Sequence, residues 1–190
     1  NPSKLTNTMK TVLGLRTDYQ VVRRHLGYLQ SAYLVEEAKR WDVKGRHYMD
    51  YPSKYYSTDV GLRNARLDYR QQEPTHIMEN IIFNELRSRG YSVDVGMVEI
   101  ETRKGGRREK RQHEVDFVVN LPGERVYIQS AYSMEAESKR IQETLPLLKT
   151  GDSFKKIVVT GDYQDSWKDD NGVIHVGVIP FLLDKDILSR

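Results

Sequence analysis

The sequence contains no cysteine, which excludes disulfide bonds and thiolate zinc sites and is typical of a cytosolic protein. No run approaches the roughly 18 apolar residues that a membrane helix needs, and nothing resembles a secretory signal. We therefore expect a cytoplasmic protein that has no membrane partner. The pattern Gly-x-x-x-x-Gly-Lys-Ser/Thr is also absent, so these 190 residues contain no Walker-type nucleotide site.

Hydrophobic residues make up 38% of the chain, with 12 Tyr and 2 Trp, which is enough for the core of one domain or of one domain plus a small appendage. Charge is distributed unevenly. Residues 1–62 carry 10 Lys and Arg against 6 Asp and Glu, a net charge of +4, whereas residues 63–190 have a net charge of −1. A dense basic run nevertheless lies at residues 103–111. It fits either a solvated hairpin tip or a segment that contacts phosphates.

The N-terminal part has the element order of a winged helix. Two short apolar stripes with helical spacing are separated by a glycine-containing turn, and strand-like segments follow at residues 33–38 and 54–58. The second helix and its start would present Arg16, Arg23 and Arg24 to the phosphates or bases of DNA. The alternative is a winged helix that serves only as a packing module between domains.

The rest of the chain alternates between helical and strand periodicity. Residues 59–64 show neither pattern and are predicted to be a connector, and a helix is predicted from Thr75 to Gly90. The elements predicted after it are strands at 91–95, 97–100, 113–120 and 126–131, a helix at 134–148, strands at 157–160 and 173–178, and a helical turn at 180–183. This order is typical of an α/β sandwich around a mixed sheet.

Two neighbouring strands carry the candidate site. Glu114 and Asp116 lie two residues apart on the first strand, so their side chains point to the same face. Gln129 lies on the second strand, and Glu79 lies on the helix face that should pack against the sheet. Oxygen ligands of this kind bind Mg²⁺, which metal-dependent phosphodiester cleavage requires. An ion pair with a nearby arginine would explain a buried Glu79 equally well.

The candidate site lacks the cation that usually lies beside the attacking water. Ala131 occupies the position where a lysine would lie on the Gln129 face. The nearest substitutes are Lys139 and Arg140 on the following helix.

Several short motifs together resemble a known family. They are Lys54-Tyr-Tyr-Ser-Thr-Asp-Val-Gly-Leu-Arg-Asn64, Glu79-Asn80, Asn84-Glu-Leu-Arg87, Arg89-Gly-Tyr91, Glu114-Val-Asp-Phe117, Tyr127-Ile-Gln129 and Lys156-Ile-Val-Val159. Their order and spacing resemble the C-terminal region of a large archaeal and bacterial family of predicted AAA-type ATPases. That region is labelled as a domain of unknown function.

The resemblance implies a winged helix over residues 1–62, followed over residues 63–190 by a domain similar to the PD-(D/E)XK restriction-endonuclease fold, a mixed sheet flanked by helices. It also implies an upstream ATPase module that would bind ATP and be a partner of this chain, in agreement with a start at Asn1 rather than Met. In that fold Glu79 corresponds to the helix carboxylate, Asp116 to the strand aspartate and Gln129 to the second strand carboxylate. Ala131 departs from the pattern, which has a lysine.

Three hypotheses follow for the function. The leading one is an accessory or regulatory domain of an ATPase, able to bind DNA, with a nuclease-like site that has degenerated. The second is an active Mg²⁺-dependent DNA endonuclease that uses Glu79, Glu114, Asp116 and Gln129, with Lys139 in place of the missing lysine. The third is a DNA-binding module that acts through basic side chains of the N-terminal part and of the run at 103–111, among them Arg16, Arg23, Arg24, Arg107 and Arg108.

Overall fold

The computed structural model describes residues 2–50, 52–70, 72–104, 107–162 and 165–189, without the side chains at positions 103, 104 and 107. The predicted nucleic-acid contact of Arg107 therefore lies outside the described residues. The helices are α1 (Pro2–Thr11), α2 (Tyr19–Ser31), α3 (Val60–Arg66), α4 (Pro74–Ser88), α5 (Glu137–Leu148) and α6 (Val178–Leu183). The strands are β1 (Val35–Ala38), β2 (Arg40–Asp42), β3 (His47–Tyr48), β4 (Lys54–Ser57), β5 (Ser92–Lys104), β6 (Arg107–Leu121), β7 (Glu124–Ala131), β8 (Lys155–Thr160), β9 (Trp167–Lys168) and β10 (Ile174–Gly177).

Eight of these strands form one mixed sheet in the order β3-β2-β5-β6-β7-β8-β10-β9. The strands β5, β6 and β7 form an antiparallel meander, and β7, β8 and β10 run parallel to one another. The strands β1 and β4 form a separate antiparallel pair. Because β2 pairs with β5, the N-terminal part of the chain contributes to the large sheet. The predicted boundary between residues 62 and 63 stays a prediction.

The large sheet is covered on both faces, as the alternation of its apolar side chains requires. On one face α4 and α6 bury Phe83 and Phe181 among side chains that include Phe117 of β6. On the other face Leu147 of α5 packs into a second cluster with Tyr127 of β7. Each such side chain stabilises the fold by about 1.5–3 kcal/mol through burial. The predicted α/β class with a mixed sheet is confirmed.

The predicted connector at residues 59–64 is wrong, because the chain forms α3 there. Asp59 caps this helix, since its Oδ1 accepts a hydrogen bond from the backbone N–H of Leu62 at 2.8 Å. None of the seven residues of α3 is buried, so the sequence shows no apolar period at this position. The next helix, α4, starts at Pro74, and the chain leaves it at Gly90 with φ +85°.

A β-bulge interrupts the pairing of β5 and β6. Asp94 pairs with Val118 and Gly96 pairs with Val115, so Val95 alone faces two residues of β6, Asp116 and Phe117. An extra residue of this kind locally disrupts the backbone ladder and redirects a side chain. The bulge therefore lies at Asp116 itself, in the middle of the sheet.

Within the described ranges, which leave out residues 51, 71, 105–106 and 163–164, no helix has the length and apolar content that a membrane span requires. The winged-helix and nuclease-like arrangements stay predictions at this point.

Candidate functional site

A lysine lies at the centre of the candidate site. Lys54, the first residue of β4, places its Nζ 2.8 Å from Oε1 of Glu79 and 3.4 Å from Oδ1 of Asp116. The same ammonium group forms an ion pair with Glu114. The lysine side chain is only 23% exposed. Three carboxylates from one helix and one strand therefore converge on a single cation that a different part of the chain supplies.

Glu79 is held on the α4 side of the site by a second contact. The Tyr56 hydroxyl donates a hydrogen bond to Oε1 of Glu79 at 2.7 Å, and the Tyr56 ring stacks on Phe83 at 4.1 Å between centroids. Lys54 and Tyr56 are two residues apart on β4, so they share one face of that strand. The apolar core under α4 thus fixes the tyrosine that orients the carboxylate.

The two carboxylates of β6 are held by different partners. Oδ2 of Asp116 accepts a hydrogen bond from the backbone N–H of Ser130 at 3.0 Å, which the bulge makes possible by breaking the ladder. Glu114 forms an ion pair with Arg40 as well as with Lys54. Arg40 is fixed in turn, because its Nε donates to the carbonyl oxygen of Pro52 at 2.9 Å.

Burial and charge shift the pKa values of these groups in different directions. Burial raises the pKa of Asp116 to about 7, and the charge of Glu79 adds to that effect while Lys54 opposes it. Burial alone would raise the pKa of Glu114, but Lys54 and Arg40 outweigh it, and the pKa lies below its ordinary value. Burial alone would lower the pKa of Lys54, but the carboxylates raise it above its ordinary value. Lys54 therefore stays charged, while Asp116 binds a proton readily near neutral pH.

The side chains in this arrangement do not fit a divalent metal ion. The ammonium group of Lys54 lies at the point where the three carboxylates meet, and Arg40 forms a second ion pair with Glu114. Among the residues that the structure describes, no group of three or more His, Asp or Glu side chains is arranged to hold a metal ion. We therefore derive no chemistry through Mg²⁺ at Glu79, Glu114 and Asp116.

Gln129 does not contact Lys54 and lies on the far side of Asp116. Its Oε1 accepts a hydrogen bond from the backbone N–H of Asp116 at 3.4 Å, and its Nε2 donates to Glu143 of α5 at 3.0 Å. Along β7 it lies on the same strand face as Tyr127 and Ala131, which belong to the apolar cluster beneath α5. The structure thus brings Glu79, Glu114 and Asp116 together and leaves Gln129 as a support for the backbone of Asp116.

The substitutes predicted for the missing lysine lie elsewhere. Lys139 is exposed, and Arg140 donates from its Nε to the carbonyl oxygen of Met134 at 2.6 Å. The cations that reach the carboxylates are Lys54 and Arg40, from strands that the sequence reasoning assigned to a different domain. The two-residue spacing of Lys54 and Tyr56 was the available signal, although nothing local indicates that β4 would meet α4 and β6.

The family comparison rests on the part of the chain that carries the carboxylates. A family described as "Domain of unknown function (DUF4143)" matches residues 75–181, more than half of the chain. The chain belongs to this family. The match includes Glu79, Glu114, Asp116 and Gln129, whereas Arg40, Lys54 and Tyr56 precede it in the sequence.

Two individual proteins are also similar to this DUF4143 chain. An "Uncharacterized protein" of Haemophilus influenzae is 33% identical over 183 residues, which are 96% of this chain and 42% of that protein. The chain therefore spans about two fifths of the length of this curated relative. The crystal structure of protein VC1899 from Vibrio cholerae is similar over 88% of this chain and 41% of that chain, with 11% identity and a TM-score of 0.33.

The arginines predicted to contact nucleic acid occupy two surfaces. Arg16, Arg23 and Arg24 are exposed in the N-terminal part of this DUF4143 chain. Arg23 also lines a cavity of about 170 Å³ together with Lys39 and Arg40. Glu37 and Asp50 line it as well, so a charged surface with a small excess of cations borders the carboxylate site.

The second surface is the long hairpin of β5 and β6, which carries the basic run. Arg108 lies 3.4 Å from Glu101, Lys110 lies 2.7 Å from Glu99, and all four side chains are well exposed. Paired and solvated charges of this kind weaken the case for a phosphate contact at the hairpin tip.

Proposed function

We propose that this chain is a DNA-binding accessory domain with a nuclease-like carboxylate site in which Lys54 takes the place of a metal ion. The observation that carries the proposal is the ammonium group of Lys54 between Glu79, Glu114 and Asp116. In metal-dependent phosphodiester cleavage the metal ion polarises the phosphate and activates water. The ammonium group of Lys54 neutralises the carboxylates and is already bound by them, and it cannot generate a metal-bound hydroxide. We therefore expect the domain to bind DNA without cutting it.

The electrostatics of the site support this proposal. Three carboxylates face two cations, and Asp116 has a pKa of about 7, so the cluster is close to neutral at physiological pH. A divalent ion would have to displace a lysine that the same carboxylates hold in its charged form. The folded chain thus already contains the counter-charge that a metal would otherwise bring.

The net positive charge of the N-terminal part, +4 over residues 1–62, and the small excess of cations beside the site support the DNA-binding part of the proposal. Arg23 of α2, Lys39 and Arg40 line one cavity, and Arg40 also reaches Glu114 inside the cluster. Phosphate oxygens are bound by lysine and arginine side chains in this setting, and such binding weakens steeply with salt. A winged-helix-like unit over residues 1–62 is part of this proposal. The antiparallel pair β1–β4 behind α1 and α2 supports it.

The ATPase context rests on the motif resemblance. We infer that this domain acts as an accessory or regulatory region of a predicted AAA-type ATPase, whose upstream ATPase module binds the ATP that is hydrolysed. The unmatched length of the Haemophilus influenzae relative is large enough for such a module. The test is ATP hydrolysis by the full-length relative. No hydrolysis under any metal condition would refute this context and leave the carboxylate site unaffected.

The experiment that tests the DNA-binding proposal has two parts. Plasmid DNA is incubated with Mg²⁺ or Mn²⁺ and either the wild type or Asp116→Ala, and we expect both proteins to be equally inert. Binding of labelled duplex DNA is then measured by fluorescence anisotropy at several salt concentrations. We expect log K to fall linearly with log salt, and Arg23→Gln should make the slope shallower by about 0.9 because it removes one neutralised phosphate. Binding that does not depend on salt contradicts the proposal.

An active Mg²⁺-dependent DNA endonuclease is the second candidate, and one observation favours it. Lys54 lies 3.4 Å from Asp116. If Lys54 moves away from Glu79, its ammonium group can serve as the cation beside the attacking water, a position where this chain has Ala131 instead of a lysine. The same plasmid assay separates the two functions. Cleavage by the wild type that disappears in both Asp116→Ala and Lys54→Ala would establish the endonuclease and refute the metal-replacement proposal.

A further inference from the structure

A second cavity lies at the other end of the sheet from the basic N-terminal surface. It has a volume of about 420 Å³, which is in the range of small-molecule sites. Its lining includes Tyr132 just after β7 and Thr160, Gly161 and Asp162 at the end of β8. Both strands are parallel to each other and to β10, so the cavity lies outside the carboxyl ends of parallel strands. Open α/β sheets commonly bind ligands in this position.

One wall of the cavity is an ordered aromatic pair. The imidazole of His175 stacks on the indole of Trp167 with centroids 4.4 Å apart and 14° between the planes. Nε2 of His175 lies 3.2 Å from Oδ2 of Asp169. The other oxygen of Asp169 accepts hydrogen bonds from two backbone N–H groups of its own loop, at 2.9 Å each. This loop therefore fixes the orientation of the ring pair.

The exposed groups of this wall suit a flat heteroaromatic ring. Trp167 is 47% exposed and Tyr132 is 45% exposed, so both offer ring surface for stacking. His175 is 6% exposed, and its Nδ1 has no hydrogen-bond partner among residues 165–189 or the other described parts of the chain. His175 lines the cavity, and its Nδ1 is a hydrogen-bonding group that a ligand can use.

The opposite wall carries charged groups. Arg140 uses its Nε to bond the carbonyl oxygen of Met134, and its two terminal nitrogens have no partner within the described ranges. It belongs to the first turn of α5, whose N-cap position is Ala136 and which therefore has no side-chain cap. The terminal nitrogens of Arg140 suit a phosphate group. The N-terminus of α5 itself adds little, because its first turn contains Glu137. Asp162 and Glu135 also line the cavity and can accept hydrogen bonds from sugar hydroxyls.

We propose that this cavity binds a nucleotide, with the base against Trp167 and Tyr132 and the phosphate at Arg140. The strands β7, β8 and β10 are successive neighbours in the sheet, and the cavity lies at their shared edge. The shared chemistry is that of a base, a sugar and a phosphate. A free nucleotide and the end of a nucleic-acid strand both provide it.

Tryptophan fluorescence tests the proposal, because the chain contains only Trp41 and Trp167. The buried Nε1 of Trp41 has no partner among the described residues, so Trp41→Phe removes a costly N–H group and leaves Trp167 as the reporter. On that background AMP, ATP, adenosine and a short single-stranded oligonucleotide are titrated. We expect saturable quenching by AMP that is about tenfold tighter than by adenosine, since adenosine lacks the phosphate.

Variants on the same background locate the binding site. We expect Arg140→Gln to weaken AMP binding about tenfold and Asp162→Asn to weaken AMP and adenosine together. Arg66→Gln, at an exposed arginine on α3, is the matched control and should change nothing. Saturation by the oligonucleotide at lower concentration than AMP identifies a strand end as the ligand, and the reverse identifies a free nucleotide. No saturable change up to about 1 mM of any probe, or equal binding by Arg140→Gln and Arg66→Gln with unchanged circular dichroism, overturns the proposal.

Discussion

Replacing Lys54 with methionine tests the metal-replacement proposal directly. The substitution keeps most of the apolar stem of the side chain and removes the ammonium group that Glu79, Glu114 and Asp116 share. Removing one partner of a buried ion pair costs about 3–5 kcal/mol. The Lys54 side chain is 23% exposed, and Arg40 still neutralises Glu114. We therefore expect the free energy of unfolding to fall by about 2–3 kcal/mol near pH 8.

The loss should depend on pH, because the carboxylates can replace the missing cation with protons. Asp116 already has a pKa of about 7, and removing Lys54 raises it further. Below that pH the folded Lys54→Met variant binds a proton there, so the loss should be at least about 1 kcal/mol smaller near pH 5.5 than near pH 8. Urea denaturation of both proteins at the two pH values measures this difference.

Metal binding completes the test on the same variant. Without the ammonium group the carboxylates are expected to bind Mn²⁺, so Mn²⁺ should raise the Tm of Lys54→Met in a concentration-dependent way and leave the wild type unchanged. The exposed Lys10→Met is the control for loss of one positive charge. A loss of stability no larger than that of Lys10→Met, or one that is equal at both pH values, would refute our assignment of Lys54.

Three further substitutions test other parts of the site. A carboxyl whose pKa rises on folding binds more protons in the folded state than in the unfolded state. The pKa of Asp116 rises from an ordinary 3.8 to about 7, so the free energy of unfolding should fall as the pH rises from about 4 to about 7. Asp116→Asn should flatten that slope in denaturation curves measured across this pH range, and an unchanged slope would contradict the assignment. Tyr56→Phe removes the hydroxyl that donates to Glu79 and should lower the free energy of unfolding by about 1–3 kcal/mol, measured by urea denaturation. An unchanged free energy of unfolding would contradict this hydrogen bond. Gly96→Ala would place a Cβ 2.8 Å from Cγ2 of Val118 and should cost about 1–3 kcal/mol, and a neutral effect on Tm would show that the bulge region can relax.

The carboxylates of the site could be predicted from the sequence because local periodicity decides where they point. Glu114 and Asp116 are two residues apart on a strand, and Glu79 shares a helix face with the apolar side chains that pack on the sheet. The prediction placed Gln129 with them, yet Gln129 shares a strand face with Tyr127 and Ala131 and donates a hydrogen bond to Glu143 instead. The β-bulge at Asp116 shifts the register of β6 against β5, which changes the face of the sheet that each side chain of β6 meets. The local sequence pattern does not predict this bulge.

The cations of the site could not be predicted in this way. Lys54 and Arg40 reach residues 62 and 74 positions further along the chain, at Asp116 and Glu114. Contacts at such separation depend on how β2 and β4 associate with the rest of the fold, and residue spacing within each strand carries no information on that. The helix α3 was missed for a related reason, since it buries no residue and its one local signal is the capping Asp59.

The nesting of the N-terminal strands has a mechanical consequence for the site. The strands β2 and β3 lie in sequence between β1 and β4, so one excursion of the chain delivers Arg40 at its start and Lys54 at its end. The strand β2 joins this excursion to the large sheet through three residue pairs with β5, and hydrogen bonds from Val43 to Met97 and from Tyr48 to Asp94 support it. Lys54 is held separately, because it pairs with Ala38 of β1 and the neighbouring Tyr56 anchors β4 on α4. A force or a partner that detached β2 would therefore withdraw Arg40 and leave Lys54 in place. Glu114 would lose one of its two counter-charges, and the cluster would become more acidic.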